Sequence, residues 1–344
     1  MKLTRPAHFL LGFYFAIFIF WLCSSLFVTA NANAHVVFSA STILNGFKNN
    51  TQYGYIFAFA YAFIPFIGSL VGFTISKKWG FFKNPVSKAV FFLSMSLFSW
   101  AMGEFIWAYY NFFLNANVPY PSWADVGFVL NYPFWGIGMV YLGQASGARL
   151  GLHQTSRKIL LVLIPVFVSL FSWYFMVILA RGGSITSGGG LLKVFFDIAY
   201  PAGDIILLTM GLLIFGLSFR HWNAQLKWPV IVILIGVLSE YVADFGFSYT
   251  TTIGTFYNGC LVDLAYATSL VILSFPVTLL DVKKETVAVT TSTMPVAPMA
   301  STLDTSSTAS APTTPTTTSS PSIPPSVGDA STPQTTNTPE YPVS

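Results

Sequence analysis

The chain alternates long apolar stretches with short polar connections. A transmembrane α-helix needs roughly 20 mostly apolar residues to cross about 30 Å of hydrocarbon. Stretches of that length lie at about 9–29, 53–75, 89–113, 124–143, 159–180, 196–218, 229–250 and 259–280. The pattern therefore predicts an all-α fold, a polytopic membrane bundle of eight transmembrane helices, and leaves little chain for a soluble domain.

The composition agrees with this pattern. Hydrophobic residues make up 54% of the 344 residues, and aromatic residues (17%) outnumber charged residues (8%), which is not typical of a soluble protein. The net charge of +4 does not indicate a nucleic-acid-binding protein, because the basic residues are spread over short loops instead of forming one face. We therefore expect the lipid bilayer, and no nucleic acid, as a partner.

The basic residues predict the orientation of the chain in a cell membrane. In the eight-span arrangement one side carries Lys2, Arg5, Lys77, Lys78, Lys83, Lys88, Arg149, Arg157, Lys158, Arg220, Lys227, Lys283 and Lys284. The other side carries only Lys48, Arg181 and Lys193. By the positive-inside rule, both termini are predicted to be cytoplasmic.

The first apolar stretch allows two interpretations. It follows Lys2 and Arg5 and ends in TANANA, where Ala30, Ala32 and Ala34 match the small residues of a signal-peptidase site. Its apolar core of about 20 residues exceeds the roughly 7–15 of a signal peptide, which favours a retained helix. Cleavage would leave seven spans.

Neither cysteine nor histidine indicates a metal site or cofactor. Cys23 lies inside the first span and Cys260 at the outer edge of the last, so we expect both to be small packing residues. The histidines sit apart, at His8, His35, His153 and His221. A zinc hydrolase would need several such ligands around one ion.

The composition changes near residue 286 to Thr, Ser, Pro and Ala. We therefore divide the chain into a transmembrane helical domain, 1–285, and a tail, 286–344, that we expect to be disordered because it has little apolar surface to bury. Such tracts are common in extracellular stalks, whereas Lys283 and Lys284 beside the last span favour a cytoplasmic tail.

A short pattern recurs along the chain. Asp125, Asp197 and Asp263 each open an apolar run and lie about 70 residues apart, the length of two spans with their loops. The spacing predicts repeated helical hairpins, in each of which the returning helix begins near an aspartate. Glu104 and Glu240 precede the first and third aspartates by a little over 20 residues, while the middle repeat has Trp173 and Tyr174 in that zone.

Of the twelve acidic residues, those inside spans or at their outer ends are Glu104, Asp125, Asp197, Asp204, Glu240, Asp244 and Asp263. All fall in the outward half of the bilayer, and we expect no Lys or Arg at that depth. Because a lone carboxylate there costs several kcal/mol, about 2.5–3.5 at the centre of a helix, the acids are predicted to line one shared cavity open to the outside.

The spacing of the acids and the nearby aromatic residues suggest a ligand. Glu240 and Asp244 share a helix face, as do Asp197 and Asp204, and Pro201 between the latter is expected to kink the helix and free backbone carbonyls. Aromatic residues at the same level are Trp100, Trp107, Tyr109, Tyr110, Trp123, Tyr132, Trp135, Tyr200, Tyr241 and Tyr266. Acids with aromatic faces favour a cationic or amphipathic small molecule. The predicted ligand-binding residues are Glu104, Trp107, Asp125, Tyr132, Asp197, Tyr200, Asp204, Glu240, Asp244 and Asp263.

Purely structural roles are an alternative to ligand binding for several of these residues. Asp125 and Asp263 suit helix N-caps, the Trp and Tyr residues suit an interfacial belt, and Gly68 with Gly72 suits helix packing. Glu104, Asp204 and Glu240 lie too deep to be caps, and they are the strongest candidates for a functional polar network.

Three segments resemble a known family: PYPSWADVGFVLNYPFWGIGM, YPAGDIILLTMGLLIFG and the last hairpin from SEYVADFGFSY to LVDLAYATSLVIL. They are similar to the multi-pass N-terminal membrane module of bacterial diguanylate cyclases, cyclic-di-GMP phosphodiesterases and histidine kinases, over about residues 90–280. The resemblance implies a sensory role and carries over as module residues Asp125, Tyr132, Pro133, Tyr200, Pro201, Gly203, Asp204 and Asp263. The Thr/Ser/Pro-rich segment follows where that family has an output domain, so we expect signalling through a separate cytoplasmic protein.

Three functions are compatible with this sequence. The first is a membrane sensor or small-ligand-binding protein, in which a ligand in the outward pocket shifts helix packing. The second is a proton- or cation-coupled transporter, although the inward stretches ILLVLI, LLIFGL and VIVILI look sealed. The third, least favoured, is an intramembrane hydrolase using paired acids, for which the sequence shows no nucleophile or metal-ligand set.

Overall fold

The computed structural model describes residues 4–32, 51–114, 118–146, 155–186, 190–218 and 224–280, all within one unit, Met1–Val287. The second unit, Ala288–Ser344, lies outside the described residues, as does the whole tail from residue 286. Also outside them are residues 33–50, which include Lys48. Of the other basic residues used to predict the orientation, Lys2, Arg149, Arg220, Lys283 and Lys284 lie outside the described residues as well.

The described residues form helices and contain no strand. The helices are α1 Arg5–Ala32, α2 Thr51–Lys78, α3 Pro85–Phe112, α4 Trp123–Ala145, α5 Thr155–Ser172, α6 Leu191–Ser218, α7 Ala224–Thr252 and α8 Leu261–Leu279. A π-helical segment, Trp173–Leu179, continues α5. All eight helices contain a stretch that is long and apolar enough to cross a membrane. The predicted all-α, polytopic bundle is confirmed.

Six of the helices close a ring. α2 contacts α3, α3 contacts α4, α4 contacts α6, α6 contacts α7, α7 contacts α8, and α8 contacts α2 again. α1 packs against α2 and α8, and α5 packs against α6, while its π-helical segment contacts α7. The ring therefore encloses an interior, with α1 and α5 as additional helices beside it.

One end of the ring is marked by the turn between α2 and α3. Gly80 and Phe81 have positive φ angles of 86° and 54° in this turn. Asn84 caps α3, since its Oδ1 accepts a hydrogen bond from the Ser87 backbone N–H at 2.9 Å, and the Ser87 hydroxyl accepts one from the Asn84 N–H at 3.3 Å. We call this the basic end, because Lys77, Lys78, Lys83 and Lys88 lie here.

Apolar side chains fill the interior of the ring toward the basic end. Every ring helix contributes to this basic-end cluster, which includes Ile75, Leu93, Met139, Leu142, Leu208, Ile233 and Val277. Each of these side chains is at most 8% exposed. Among the described residues, these buried apolar side chains fill the centre of the ring in this half, as the apolar inward stretches suggested.

α1 packs on the ring through both apolar and polar contacts. Leu10, Ile17 and Trp21 are buried against a second cluster that includes Phe57 and Leu270. The Trp21 indole N–H donates to the Gly259 carbonyl at 2.8 Å. α1 is thus an integral part of the bundle in this structure.

Glycines permit the closest helix contacts. The expected packing role of Gly68 and Gly72 is confirmed, because a Cβ at Gly68 would lie 2.6 Å from Ser274 Cβ, and one at Gly72 would lie 2.6 Å from Val277 Cγ1. In α4, a Cβ at Gly127 would lie 2.6 Å from the Gly103 backbone nitrogen of α3. Here two helix backbones touch directly, so neither can yield without a shift of the other.

This backbone contact gives a stability prediction. Gly127→Ala should destabilise the protein by about 1–3 kcal/mol, because the added methyl group pushes α3 and α4 apart. The midpoint of thermal unfolding in detergent measures the effect. Gly12→Ala in α1 is the matched control, since a Cβ there meets nothing within 4 Å. Equal midpoints for the two variants would contradict the described contact.

Candidate functional site

A cavity of about 930 Å³ occupies the half of the ring away from the basic end. All seven acids that the sequence placed in the outward half line it: Glu104, Asp125, Asp197, Asp204, Glu240, Asp244 and Asp263. They come from α3, α4, α6, α7 and α8. Ser184, Thr251 and Thr252, which are exposed, also line it, so the cavity reaches the molecular surface. The predicted convergence of the acids is therefore observed.

Reciprocal hydrogen bonds join α4 and α6 across the cavity wall. The Tyr200 hydroxyl of α6 donates to Asp125 Oδ1 of α4 at 2.6 Å, and the Tyr132 hydroxyl of α4 donates to Asp204 Oδ1 of α6 at 3.0 Å. A Cβ at Gly203 would overlap the Tyr132 ring, so the glycine before Asp204 is what lets the ring lie against α6. Each helix thus supplies one acid and one hydroxyl to the other.

The other acids also accept hydrogen bonds from neighbouring elements. The Tyr266 hydroxyl of α8 donates to Asp244 Oδ1 of α7 at 2.7 Å. The Tyr120 hydroxyl, just before α4, donates to Asp197 Oδ1 at 2.8 Å. The Ser269 hydroxyl of α8 donates to Glu240 of α7. The Tyr61 side chain of α2 lies close enough to Glu104 of α3 to interact with its carboxyl group. The acids therefore take part in polar contacts at three of the six helix pairs around the ring, α2 with α3, α4 with α6 and α7 with α8.

Asp125 and Asp263 also stabilise the starts of their helices, but they are not the N-cap residues that the sequence suggested. The N-cap residues are Ser122 and Cys260, and each aspartate lies three residues further on. Asp125 Oδ2 accepts from the Ser122 N–H at 2.6 Å, and Asp263 Oδ2 accepts from the Gly259 N–H at 2.5 Å. The carboxyl groups bond back to the backbone before the helix, as in a capping box, so they stabilise the helix start from inside its first turn.

The cavity contains two basic side chains, which corrects the expectation that no Lys or Arg lies among the acids. Arg181 and Lys193 both line it. The chain folds back after the π-helical segment, which brings the Arg181 guanidinium to α6 and α7, where Nε donates to Ser248 Oγ at 3.1 Å. The Lys193 ammonium lies 5.9 Å from the centre of the Tyr120 ring.

Arg181 also serves the proline in α6. Pro201 has no N–H, so the carbonyl of Asp197, four residues earlier, lacks its usual helical donor. Arg181 Nη1 donates to this carbonyl at 2.9 Å and to the Ile185 carbonyl at 3.1 Å. The expectation that Pro201 frees a backbone carbonyl therefore agrees with the structure, and a side chain from outside the helix replaces the missing donor.

The predicted aromatic residues fall into two groups. Trp100, Trp107, Tyr132, Trp135, Tyr200, Tyr241 and Tyr266 line the cavity. Tyr109, Tyr110 and Trp123 do not, and Tyr109 and Trp123 are 51% and 73% exposed. The exposed residues fit the alternative of an interfacial belt. Trp107 also donates through Nε1 to Asn258 Oδ1 at 3.0 Å, near the surface end of the cavity.

Two groups beside the spans keep their protons at neutral pH. Burial, and then the hydrogen bond to Asp197, raise the pKa of Tyr120 well above its ordinary value. Burial, and then the charge of Asp263, raise the pKa of the Cys260 thiol to about 12. Tyr120 therefore remains a hydrogen-bond donor, and Cys260 remains an unreactive packing residue, as expected from the sequence.

All ten predicted ligand-binding residues line the same cavity, while their role in binding stays a prediction. The sequence reading missed Tyr61, Tyr120, Arg181, Lys193 and Asn258 as lining residues. Arg181 and Lys193 carried a signal, since few basic residues lie on the outer side. The two tyrosines and the asparagine follow no pattern that distinguishes them from interfacial residues.

Comparison with known protein families, with curated proteins and with solved structures finds no match to this chain.

The hydrogen bond between Tyr200 and Asp125 can be tested directly. Tyr200→Phe should destabilise the protein by about 1.5–3 kcal/mol, because a carboxyl oxygen loses its donor in a buried position. Tyr241→Phe is the matched control, since its hydroxyl hydrogen-bonds the neutral Ser172 hydroxyl, at 3.1 Å, and not a carboxyl group. Thermal unfolding should show a loss about twice as large for Tyr200→Phe. Equal losses would show that the carboxyl group adds nothing to the contact.

The link between Arg181 and Pro201 predicts non-additive substitutions. Arg181→Met should cost about 1–3 kcal/mol, because the Asp197 carbonyl loses its donor. Pro201→Ala supplies a backbone N–H to the same carbonyl, so the Arg181→Met cost should be about 1 kcal/mol smaller in that background. A double-mutant cycle on thermal or denaturant unfolding measures the difference. Additive effects would mean that the two residues act independently.

Proposed function

We propose that this integral membrane protein is a sensor, or small-ligand-binding protein, of the cell membrane. In this proposal a cationic or amphipathic small molecule enters the cavity from outside the cell, and the signal passes to a separate cytoplasmic protein. The observation that carries the proposal is the convergence of seven acids from five helices on one cavity of about 930 Å³.

The chemistry of the cavity supports this ligand class. Its volume lies within the roughly 300–1,000 Å³ typical of small-molecule sites. Acids outnumber basic side chains on its wall, and Arg181 is already engaged with Asp197 and Ser248. Trp100 packs at ring-centre distances of 5.3 Å from Phe128 and 5.8 Å from Tyr266, which gives the wall aromatic faces. A cation with apolar substituents complements both features.

The charge distribution supports an outward-facing cavity. Lys77, Lys78, Lys83 and Lys88 all lie at the basic end, and the positive-inside rule places such an end in the cytoplasm. The cavity lies in the other half of the ring. In this proposed orientation both termini are expected to be cytoplasmic, where a signalling partner would act.

The hydrogen bonds between helices suggest how a ligand is sensed. A cation that binds the carboxyl groups competes with the tyrosine hydroxyls that hold α4 to α6 and α7 to α8. Binding then favours the helix arrangement that suits the ligand best. The likeness of the segments around Asp125, Asp204 and Asp263 to bacterial sensory modules agrees with this role.

The closed half of the ring favours a sensor over a carrier. A carrier needs a polar route through both leaflets, whereas the basic-end cluster fills the ring below the cavity with side chains such as Leu93, Met139 and Ile233. Uptake measurements in liposomes test this point, because a sensor moves neither solute nor protons. Flux that depends on Glu104, Asp204 or Glu240 would favour the carrier.

Ligand binding is tested by the melting of purified protein across organic amines, inorganic cations and pH. A ligand at 100 times its Kd stabilises by about 2.7 kcal/mol, which corresponds to about 5–10 °C. We expect at least one cation to raise the wild-type midpoint and to lose this effect in the Glu104→Gln/Asp204→Asn/Glu240→Gln variant.

Trp79→Phe is the control for that experiment. Trp79 donates to the Leu280 carbonyl at 3.0 Å at the basic end, away from the cavity, so this variant should respond like the wild type. The proposal is wrong if the wild type and the triple variant share one unresponsive profile.

A further inference from the structure

The turn between α2 and α3 holds two phenylalanine side chains at the surface of the basic end. Phe81 and Phe82 are 40% and 51% exposed. Phe81 has a φ angle of 54°, in the left-handed region that a bulky residue rarely adopts. The Phe81 N–H donates to the Ser76 carbonyl at 2.8 Å, and Asn84 Nδ2 donates to the Trp79 carbonyl at 2.9 Å. Hydrogen bonds therefore fix the backbone of the turn that presents the two exposed rings.

The apolar surface continues from this turn across α3 to α4. The Phe82 ring centre lies 4.9 Å from that of Phe91 and 6.2 Å from that of Phe92. Phe92 stacks on Tyr141 of α4 at a ring-centre distance of 5.9 Å and an interplanar angle of 16°. Phe91, Phe92 and Tyr141 are all partly exposed. We call Phe82, Phe91, Phe92 and Tyr141 the aromatic surface, which joins the turn to the boundary between α3 and α4.

Lys88 of α3 places a positive charge on this surface. Its ammonium nitrogen lies 5.2 Å from the centre of the Tyr141 ring, a cation–π contact that links α3 to α4. A ring face has no lone pair, so an oxygen acceptor can still bind the N–H groups of the ammonium. The acids among the described residues all line the cavity in the other half of the ring, so none of them neutralises Lys88. An anion with an apolar part complements this combination of charge and rings.

We propose that Lys88 and the aromatic surface bind an anionic phospholipid. The lipid phosphate accepts hydrogen bonds from the Lys88 ammonium, and the first part of an acyl chain packs against the rings of Phe82 and Phe92. This site lies at the opposite end of the ring from the cavity, so it does not rest on the proposed function.

The position of the site in the bilayer supports a lipid. α2 and α3 each contain a stretch long and apolar enough to cross the membrane, and only a short turn joins them. That turn therefore lies where the hydrocarbon meets the headgroups, the level at which aromatic rings and lysine side chains contact lipid. Basic pockets between transmembrane helices at this level bind anionic headgroups.

The charge around the site favours an anionic lipid over other phosphates. Lys77 and Lys83 lie at the same end and add to the positive potential. A zwitterionic headgroup carries its own cation, which that potential repels. Free phosphate has no apolar part, so it gains nothing from the aromatic surface.

The test is thermal unfolding of the full chain in a neutral detergent, titrated with two lipids that share the same acyl chains. Palmitoyl-oleoyl phosphatidylglycerol (POPG) is anionic, and palmitoyl-oleoyl phosphatidylcholine (POPC) is zwitterionic. The wild type should reach half of its maximal midpoint shift at a POPG concentration about fivefold below that for POPC, the factor that one lysine beside an anionic headgroup contributes. Inorganic phosphate should give no shift. Equal titrations with POPG and POPC, or an equal shift with inorganic phosphate, would overturn the proposal.

Variants of Lys88 distinguish a site from diffuse attraction. Lys88→Gln should raise the half-effective POPG concentration about fivefold and leave that of POPC unchanged. Lys88→Arg keeps the charge and should respond like the wild type. A POPG titration that is unchanged in Lys88→Gln, or a Lys88→Arg variant that responds like Lys88→Gln, would overturn the phosphate contact.

Lys193→Gln is the matched control for the charge. Lys193 also lies over a tyrosine ring, 5.9 Å from the centre of Tyr120, but at the cavity end. This variant removes the same charge from the other end of the bundle and should keep the full POPG response. Equal losses in Lys88→Gln and Lys193→Gln would mean that the lipid responds only to net charge, which would overturn the site.

Phe82→Ala tests the acyl-chain contact. It should raise the half-effective concentrations of POPG and POPC several-fold, because both lipids carry the same acyl chains. Phe113→Ala is the matched control, since Phe113 is 78% exposed just after the far end of α3, and it should change neither titration. The midpoint without lipid reports whether each variant keeps its fold. Unchanged titrations in Phe82→Ala would overturn the acyl-chain contact.

Discussion

The reciprocal hydrogen bonds between α4 and α6 are the constraint on which the rest of the structure depends. Lipid tails are as apolar as most side chains here, so the hydrophobic effect does little to choose one helix neighbour over another in a bilayer. An acid without partners in that environment is expensive, and a tyrosine hydroxyl from the facing helix removes much of the cost. Tyr200 with Asp125 and Tyr132 with Asp204 therefore fix which helices meet and in what register.

The two halves of the ring differ in how their helices pack. Toward the basic end, Leu93, Met139 and Ile233 pack without space, and helix contacts depend on shape and on small residues. In the other half, acids, tyrosines and tryptophans line a cavity of about 930 Å³. An apolar packed half beneath a polar half with a cavity agrees with the proposed ligand-binding function.

The sequence predicted the spans and the grouping of the acids well, because both follow from simple costs. An apolar run of about 20 residues is most stable as a transmembrane helix. Buried acids such as Glu104 and Asp204 need polar surroundings, which they obtain by grouping together. The partners of these acids could not be predicted, since pairing depends on the order of helices around the ring. Tyr61 and Tyr120 therefore looked like ordinary interfacial residues. Arg181 was missed because its backbone lies beyond the π-helical segment, while its side chain turns back into the cavity.

The proline in α6 has a consequence for motion. The part of α6 before Pro201 carries Asp197 and Tyr200, and it lacks one backbone hydrogen bond because proline has no N–H. Arg181 donates to the free Asp197 carbonyl and also to Ser248 of α7. Bending of α6 at Pro201 therefore breaks no additional backbone hydrogen bond, but it also moves the neighbouring helix. Because Arg181 hydrogen-bonds both helices, a tilt of the outer part of α6 displaces the guanidinium group and with it α7. The movements of these two adjacent transmembrane helices are therefore coupled.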